Sequence, residues 1–210
     1  DTFALFEQNA KTAKLDDGRT VWEWLEGKPA APSEKAAIDH PITLDEKIVE
    51  VEKQIQEKPI EHLVLLDVSG KERFHRVSGS KTQVALPTAA VGKISGFALL
   101  HNHPSCMLPE NRGFPTSLSI QDVQLAVREK LGSIRAVGIR RSYLLEPGPG
   151  GWPSEYEIIK AYADAKKRAF AKLEILRLSG RILEWKENQI LNHLIWKDVA
   201  KRLDMKYIAI

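Results

Sequence analysis

Cysteine is almost missing from the 210 residues, where Cys106 stands alone. A single thiol cannot form an internal disulfide, and it excludes cysteine-built zinc ribbons and fingers. Any bound metal must therefore be held by the six histidines and the carboxylates. Long apolar runs are missing as well: nothing approaches the ~20 consecutive apolar residues that span a bilayer, and no membrane partner is expected. The familiar phosphate and nucleophile loops are absent too. There is no G-x-G-x-x-G and no G-x-S-x-G, and the stretch from Pro147 to Pro153 lacks the lysine of a P-loop. Charge of one sign is scarce. A net charge of +3 is too small to argue for nucleic acid by itself. No internal repeat or low-complexity tract is visible. The chain opens at Asp1 rather than methionine, so a fragment or processed product is expected, without a signal or transit peptide at this start. The lone thiol is compatible with a cytoplasmic location, which is the expectation.

What charge there is, is unevenly placed. Residues 1–60 carry 13 acidic and 8 basic side chains, residues 61–154 carry 7 and 11, and residues 155–210 carry 8 and 12. An acidic front thus precedes a mildly basic remainder. The pattern of the chain divides it further. Residues 1–57 read as a helical N-terminal extension, with a linker from Lys28 to Lys35 and a helix from the N-cap candidate Thr43, with Glu46 three residues on, to about Glu57, stopped by Pro59. Periodicity then changes. The segments from His62 to Val68 and from Arg73 to Val77 predict a hairpin, and Thr82–Leu86 and Ile94–Leu100 predict two more strands. Ser119 opens a helix carrying Ile120, Val123, Ala126, Val127 and Leu131, with Gly132 as its expected stop. The runs Ile134–Ile139 and Tyr143–Leu145 return to strand. Residues 148–153 read as a linker, and residues 154–210 as a helical hairpin broken near Gly180, with Tyr207–Ile210 as a short strand. The expected class is α+β, a core over 58–147 with helical extensions at both ends.

Within that core, His101 and His103 close a strand. Residues two apart in extended chain point to the same side, so both imidazoles can face one point. Ser119 and Asp122 open the central helix, and Glu61 leads the first strand. Two histidines and a carboxylate make a sound set of ligands for a catalytic zinc with one position left open for water. A second carboxylate that is not a ligand is then needed to move the proton. Each part also has a plain reading. H-x-H is common in ordinary strands, S-x-x-D is a capping box by itself, and Glu61 suits a solvated strand edge.

The succession of a Glu-led strand, a strand running into His101-Asn-His103-Pro104, and a helix opened by Ser119-x-x-Asp122 resembles the JAMM signature of the JAB/MPN metalloprotease superfamily. The phrase FALLHNHPS, preceded by EHLVLLDVSG, is similar to its bacterial RadC-like and phage-type members, over approximately residues 58–147. The resemblance implies an MPN-like (cytidine-deaminase-like) mixed sheet flanked by helices. It implies that His101, His103 and Asp122 bind zinc, that Glu61 is the general acid/base, and that Ser119 hydrogen-bonds the oxyanion. It further implies a peptidase or isopeptidase acting on a protein or peptide substrate such as a ubiquitin-like conjugate. Two features depart from the pattern. Fifteen residues, Pro104 to Leu118, separate the second histidine from the serine, more than the family's usual gap, and read as a loop at the mouth of the site. Cys106 stands where many bacterial relatives have glycine, near enough in sequence to ligate the metal or be oxidised.

The remaining histidines read as packing or surface residues: His62 and His75 in the hairpin, His40 before Pro41, and His193 on the tail. The apolar stripe from Ile182 to Leu203 suits packing on the core, a protein partner or self-association. Lys166, Lys167, Arg168, Lys172 and Arg177 leave nucleic-acid contact as a weaker reading, since WKDVAKRLDM resembles the first helix of a helix-turn-helix without a second. Two alternatives to the peptidase stand beside it: a non-catalytic MPN-type interaction module in a larger phage or defence-like assembly, and a metal-dependent nucleic-acid hydrolase.

Overall fold

A computed structural model describes residues 43–77, 86, 88–108, 115–180 and 187–210. The helices, linker and His40 expected before residue 43 lie outside these residues, as does the strand expected at Thr82–Leu86 apart from Leu86 itself.

Helix α1, Leu44–Ile55, starts as its capping box dictates: Thr43 N–H donates to Glu46 Oε2 at 2.8 Å, and Glu46 N–H returns to Thr43 Oγ1 at 3.3 Å. Ile48, Val51 and Ile55 fall on one face at helical spacing and are buried. The chain then enters β1, His62–Leu66, whose five residues are all buried. A strand apolar on both sides belongs in the middle of a sheet. Its partner β2, Glu72–Val77, is mostly exposed and forms the sheet's edge. Asp67 ties the turn between them, accepting from Ser69 N–H (2.9 Å), Ser69 Oγ (2.6 Å), Lys71 N–H (3.1 Å) and Arg73 Nε (2.6 Å).

Beyond β2 come β3 (Ala98–Asn102), α2 (Ile120–Glu129), β4 (Ser133–Val137), β5 (Tyr143–Glu146), α3 (Glu155–Leu178), α4 (Glu187–Arg202) and β6 (Lys206–Ala209), with short 3-10 turns at Thr88–Ala90 and Pro104–Met107. The described strands form one mixed sheet in the order β2-β1-β3-β4-β5-β6. Only β3 and β4 run parallel, and a parallel pair needs a crossover, which α2 supplies. The α+β class is therefore as expected.

Alternation along the strands sorts the core into two layers. Leu63, Leu65, Leu99, Ile134 and Leu145 face α2, α3 and α4. Val64, Leu66, Leu100 and Val137 face α1. Under α1, Arg135 of β4 pairs with Glu52 at 2.9 Å. Each fully buried aliphatic of α1 contributes roughly 1.5–3 kcal/mol. The helix at 44–55 and the strand at 206–209 thus belong to the same packed layers as the segment 58–147, and all described residues fall in one compact unit, Ile42–Ile210.

Two local expectations are corrected. The strand expected from Ile94 begins only at Ala98, because Ser95–Gly96 form a turn in which Gly96 has φ +79° and its N–H reaches Lys130 O at 2.8 Å. Helix α2 ends not at Gly132 but at Lys130, which itself adopts the left-handed cap with φ 52°. Gly132 is needed for a different reason: a Cβ there would meet the Gly96 carbonyl oxygen at 2.5 Å. In the stretch at 148–153, Gly151 N–H bonds Gly148 O at 2.9 Å and Trp152 Nε1 donates to Leu131 O at 2.6 Å. Among the described residues no helix is long and apolar enough to cross a membrane.

Candidate metal centre

Strand β3 pairs with β1 on one side and β4 on the other, with His101 opposite Leu63 and Ala136. His101 therefore points to the face covered by α2, where it is buried. The ladder extends one residue past the strand, since His103 N–H bonds Val137 O at 3.0 Å. That extension keeps His103 extended, and its ring falls beside that of His101, the centroids 4.8 Å apart and tilted by 49°. The two Nε2 atoms face each other at 2.9 Å.

Asp122 arrives from α2. Its Oδ2 accepts Ser119 N–H at 2.7 Å while Asp122 N–H donates to Ser119 Oγ at 3.1 Å, a reciprocal capping box at the helix start. The same Oδ2 lies 3.6 Å from His101 Nε2. The plain reading of S-x-x-D and the ligand reading are thus compatible: the cap fixes the carboxylate in a position from which it faces the histidines. One ligand atom from each of His101, His103 and Asp122 lies within 4.8 Å of the others.

Glu61 precedes β1 on the side of Leu63, where it is buried. It senses His101 and Asp122 electrostatically. Burial pushes its carboxyl above the usual range, His101 opposes the shift, and the negative Asp122 adds to it. Its Oε2 is buried and has no hydrogen-bond partner among the described residues. An orphaned carboxylate oxygen beside three converging ligand atoms is what a site that receives a cation or water requires.

The electrostatics fit ligation. Burial, reinforced by His101, lowers His103 to about 4, so its ring is neutral near pH 7. Burial works against the Asp122 carboxylate, yet His101, His103 and the two Ser119 hydrogen bonds together hold it below its ordinary value. Two imidazole nitrogens and one carboxylate oxygen are a donor set that could hold a divalent metal ion. The His101–His103 and His101–Asp122 separations are 2.9 and 3.6 Å, and the three ligand atoms all lie within 4.8 Å of one another.

Two residues complete the site that sequence reasoning overlooked. Thr116 Oγ1 lies 3.1 Å from His103 Nδ1. With Nδ1–H donating there, the Nε2 lone pair is left for a metal. Thr116 comes from the loop before α2, where nothing in its sequence neighbourhood announces it. Asn102, fully buried, points to the opposite side from its flanking histidines. Its Oδ1 accepts His62 N–H at 2.6 Å, and its Nδ2 donates to Lys58 O at 3.1 Å and Ile60 O at 3.2 Å. Asn102 so clamps the backbone on both sides of Glu61. Strand alternation was the available signal, since a polar side chain turned into an apolar layer must find partners.

Residues 115–118 enter the helix under restraint from the tail. Ser117 Oγ and Tyr207 Oη are 2.7 Å apart, and Trp196 Nε1 donates to Leu118 O at 2.6 Å. Cys106 falls in the 3-10 turn Pro104–Met107, and the expectation about its thiol rests on a side chain outside those described. Of the other histidines, His62 Nδ1 and His75 Nε2 bond each other at 2.8 Å, and His193 Nδ1 lies 3.1 Å from Tyr207 Oη.

No protein-family model, no curated protein and no solved structure matches this chain.

Proposed function

We propose that the chain is a zinc-dependent peptidase or isopeptidase of the JAMM type on an MPN-like core. The observation that carries this reading is the convergence of His101, His103 and Asp122 on one point with the orphaned oxygen of Glu61 beside them. Glu61, His101, His103 and Asp122, spread over 62 positions of sequence, are the residues this reading uses.

His101 and His103 through Nε2, and Asp122 through a carboxylate oxygen, are the residues that would hold the ion. A bound zinc supplies Lewis acidity and makes water a nucleophile near neutral pH. Glu61, its carboxyl raised by burial, accepts a proton from the attacking water and delivers it to the leaving amine. Ser119 Oγ accepts from Asp122 N–H at 3.1 Å, which leaves its hydroxyl proton to donate to the oxyanion of the tetrahedral intermediate. Thr116 holds the ring of His103 and Asn102 holds the chain around Glu61. The substrate class in this reading is a peptide or isopeptide bond in a protein, a ubiquitin-like conjugate among them.

The test combines metal analysis with cleavage. After dialysis against zinc, the wild type should retain about one ion per chain and His103→Ala should lose it. Glu61→Gln should keep the ion and lose peptide-bond hydrolysis by ~10²–10⁴-fold. A wild type that retains no zinc, or a Glu61→Gln variant that cleaves undiminished, overturns the reading.

A further inference from the structure

We propose that the groove between α3 and α4 binds the phosphate backbone of a nucleic acid without reading its bases. The groove has a volume of about 330 Å³ and is lined by Arg168 and Lys172 from α3 and by Lys197, Lys201 and Arg202 from α4. Asp198 is the one carboxylate among them. Its charge is already engaged: Arg168 Nη2 lies 2.7 Å and Arg202 Nε 3.0 Å from its two oxygens. That fork fixes the two guanidinium groups across the groove and still leaves the lining with a surplus of positive charge. Lys172, Lys197 and Lys201 make no ion pair with any described carboxylate.

The spacing suits a linear polyanion better than a single small anion. Arg168 and Lys172 are four residues apart on one helix, Lys197 and Lys201 four apart on the other, so each wall repeats a cation every ~6 Å along its axis. A nucleic-acid strand repeats its charge at a short fixed interval, whereas acidic side chains on a peptide do not. The floor is built from Ala165, Ala169 and Leu194. Among the described residues, no aromatic ring and no amide side chain lines the groove to stack on a base or hydrogen-bond its edge. Lys166 and Lys167 are exposed beside it on α3 and extend the positive surface. This surface is separate from the metal centre, and its occupancy does not depend on the peptidase reading.

If the three lysines each neutralise one phosphate, log K should fall with log salt at a slope of about −2 for a single strand and about −3 for duplex. Fluorescence anisotropy of the full chain with labelled 20-mers reads this directly, using two unrelated sequences as single strands and as duplexes. Binding at 50 mM NaCl should be equal for the two sequences and fall about 20- to 60-fold by 200 mM. The triple variant Lys172→Gln, Lys197→Gln, Lys201→Gln changes only exposed positions. It should keep its melting temperature, bind at least tenfold more weakly and lose most of the salt slope. Lys71→Gln with Lys93→Gln, far from the groove in the fold's other half of the sheet, should bind as the wild type. No binding at 50 mM NaCl, or a triple variant that binds as the wild type with an unchanged slope, overturns the proposal. So does polyglutamate that competes as well as DNA of equal charge, which would identify an acidic protein as the partner.

Discussion

Thr116 and Asn102 show how much of a candidate metal centre rests on residues that would never ligate. Imidazole offers two nitrogens, and the one that binds a metal is chosen by what the other touches. Thr116 engages Nδ1 of His103 and so directs Nε2 inward. Thr116→Val, close in shape but without the hydroxyl, should weaken zinc affinity about 10- to 100-fold while leaving the melting temperature of the metal-free chain nearly unchanged. Competition with a chelating dye measures the first, and calorimetry of the metal-free protein the second. An unchanged affinity would reduce Thr116 to a bystander. The candidate ligands were legible in the sequence because H-x-H at a strand end and S-x-x-D at a helix start each have a fixed local geometry. Thr116 was not, because its partner is thirteen residues away across a loop with no periodicity. Gly132 illustrates a subtler limit. A glycine after an apolar helix reads as a cap, yet here it is a point of backbone contact with Gly96, a tertiary fact that no local pattern encodes.

At the scale of elements, the β1–β2 hairpin is the part of the fold most fully written in its sequence. Asp67 begins an Asp-Val-Ser-Gly turn, and Gly70 takes φ +78° there. The Ser69 hydroxyl, together with Arg73 and the N–H groups of Lys71 and Ser69, holds the Asp67 carboxyl far below the usual carboxylate range, against the opposing effect of burial. A carboxylate whose pKa is depressed by folding adds stability that is complete above its unfolded value of about 4 and vanishes as pH falls through its folded value. Asp67→Asn should therefore melt at a lower temperature than the wild type at pH 7, and the two should converge as pH drops below 4. Thermal melts at stepped pH would check this, and parallel curves would show that the turn does not depend on the charge. The strand before His101 was harder to delimit. Ile94 is apolar and buried, as a strand residue would be, but it sits before a turn. Burial and extension give the same signature in a short apolar run, and only the ladder separates them.

Across the whole molecule, the tail is joined to the site rather than appended to it. Trp196, fully buried on α4, spends its only donor on Leu118 O, the residue before Ser119. Tyr207 on β6 meets Ser117, and its ring stacks on Tyr143 at 6.2 Å. Residues 117 and 118, which lead into Ser119 and Asp122, are thus pinned by elements 90 and 78 residues later. Trp196→Phe keeps most of the apolar volume and removes the donor, so it should cost about 1–3 kcal/mol of stability by leaving a buried carbonyl unpaired. If the loop transmits that loss, zinc affinity should fall in the same variant although no ligand is touched. Urea denaturation and metal competition measure the two effects, and full affinity alongside reduced stability would show that the capping box of α2 suffices to hold Asp122. This coupling could not be read from the sequence, where the apolar stripe of α4 announced only that it packs against something.

Asn102 between two histidines has a consequence for how this site can fail. The three consecutive side chains alternate between faces: the imidazoles look toward α2, and the carboxamide looks toward the segment that carries Glu61. A slip of β3 by one residue would exchange all three at once, sending both imidazoles into the apolar layer beneath α1 and the carboxamide toward Asp122. There is no intermediate register in which half the ligands remain. The centre is assembled by strand pairing itself, so it should appear in a single step with the sheet during folding and disappear in a single step with it.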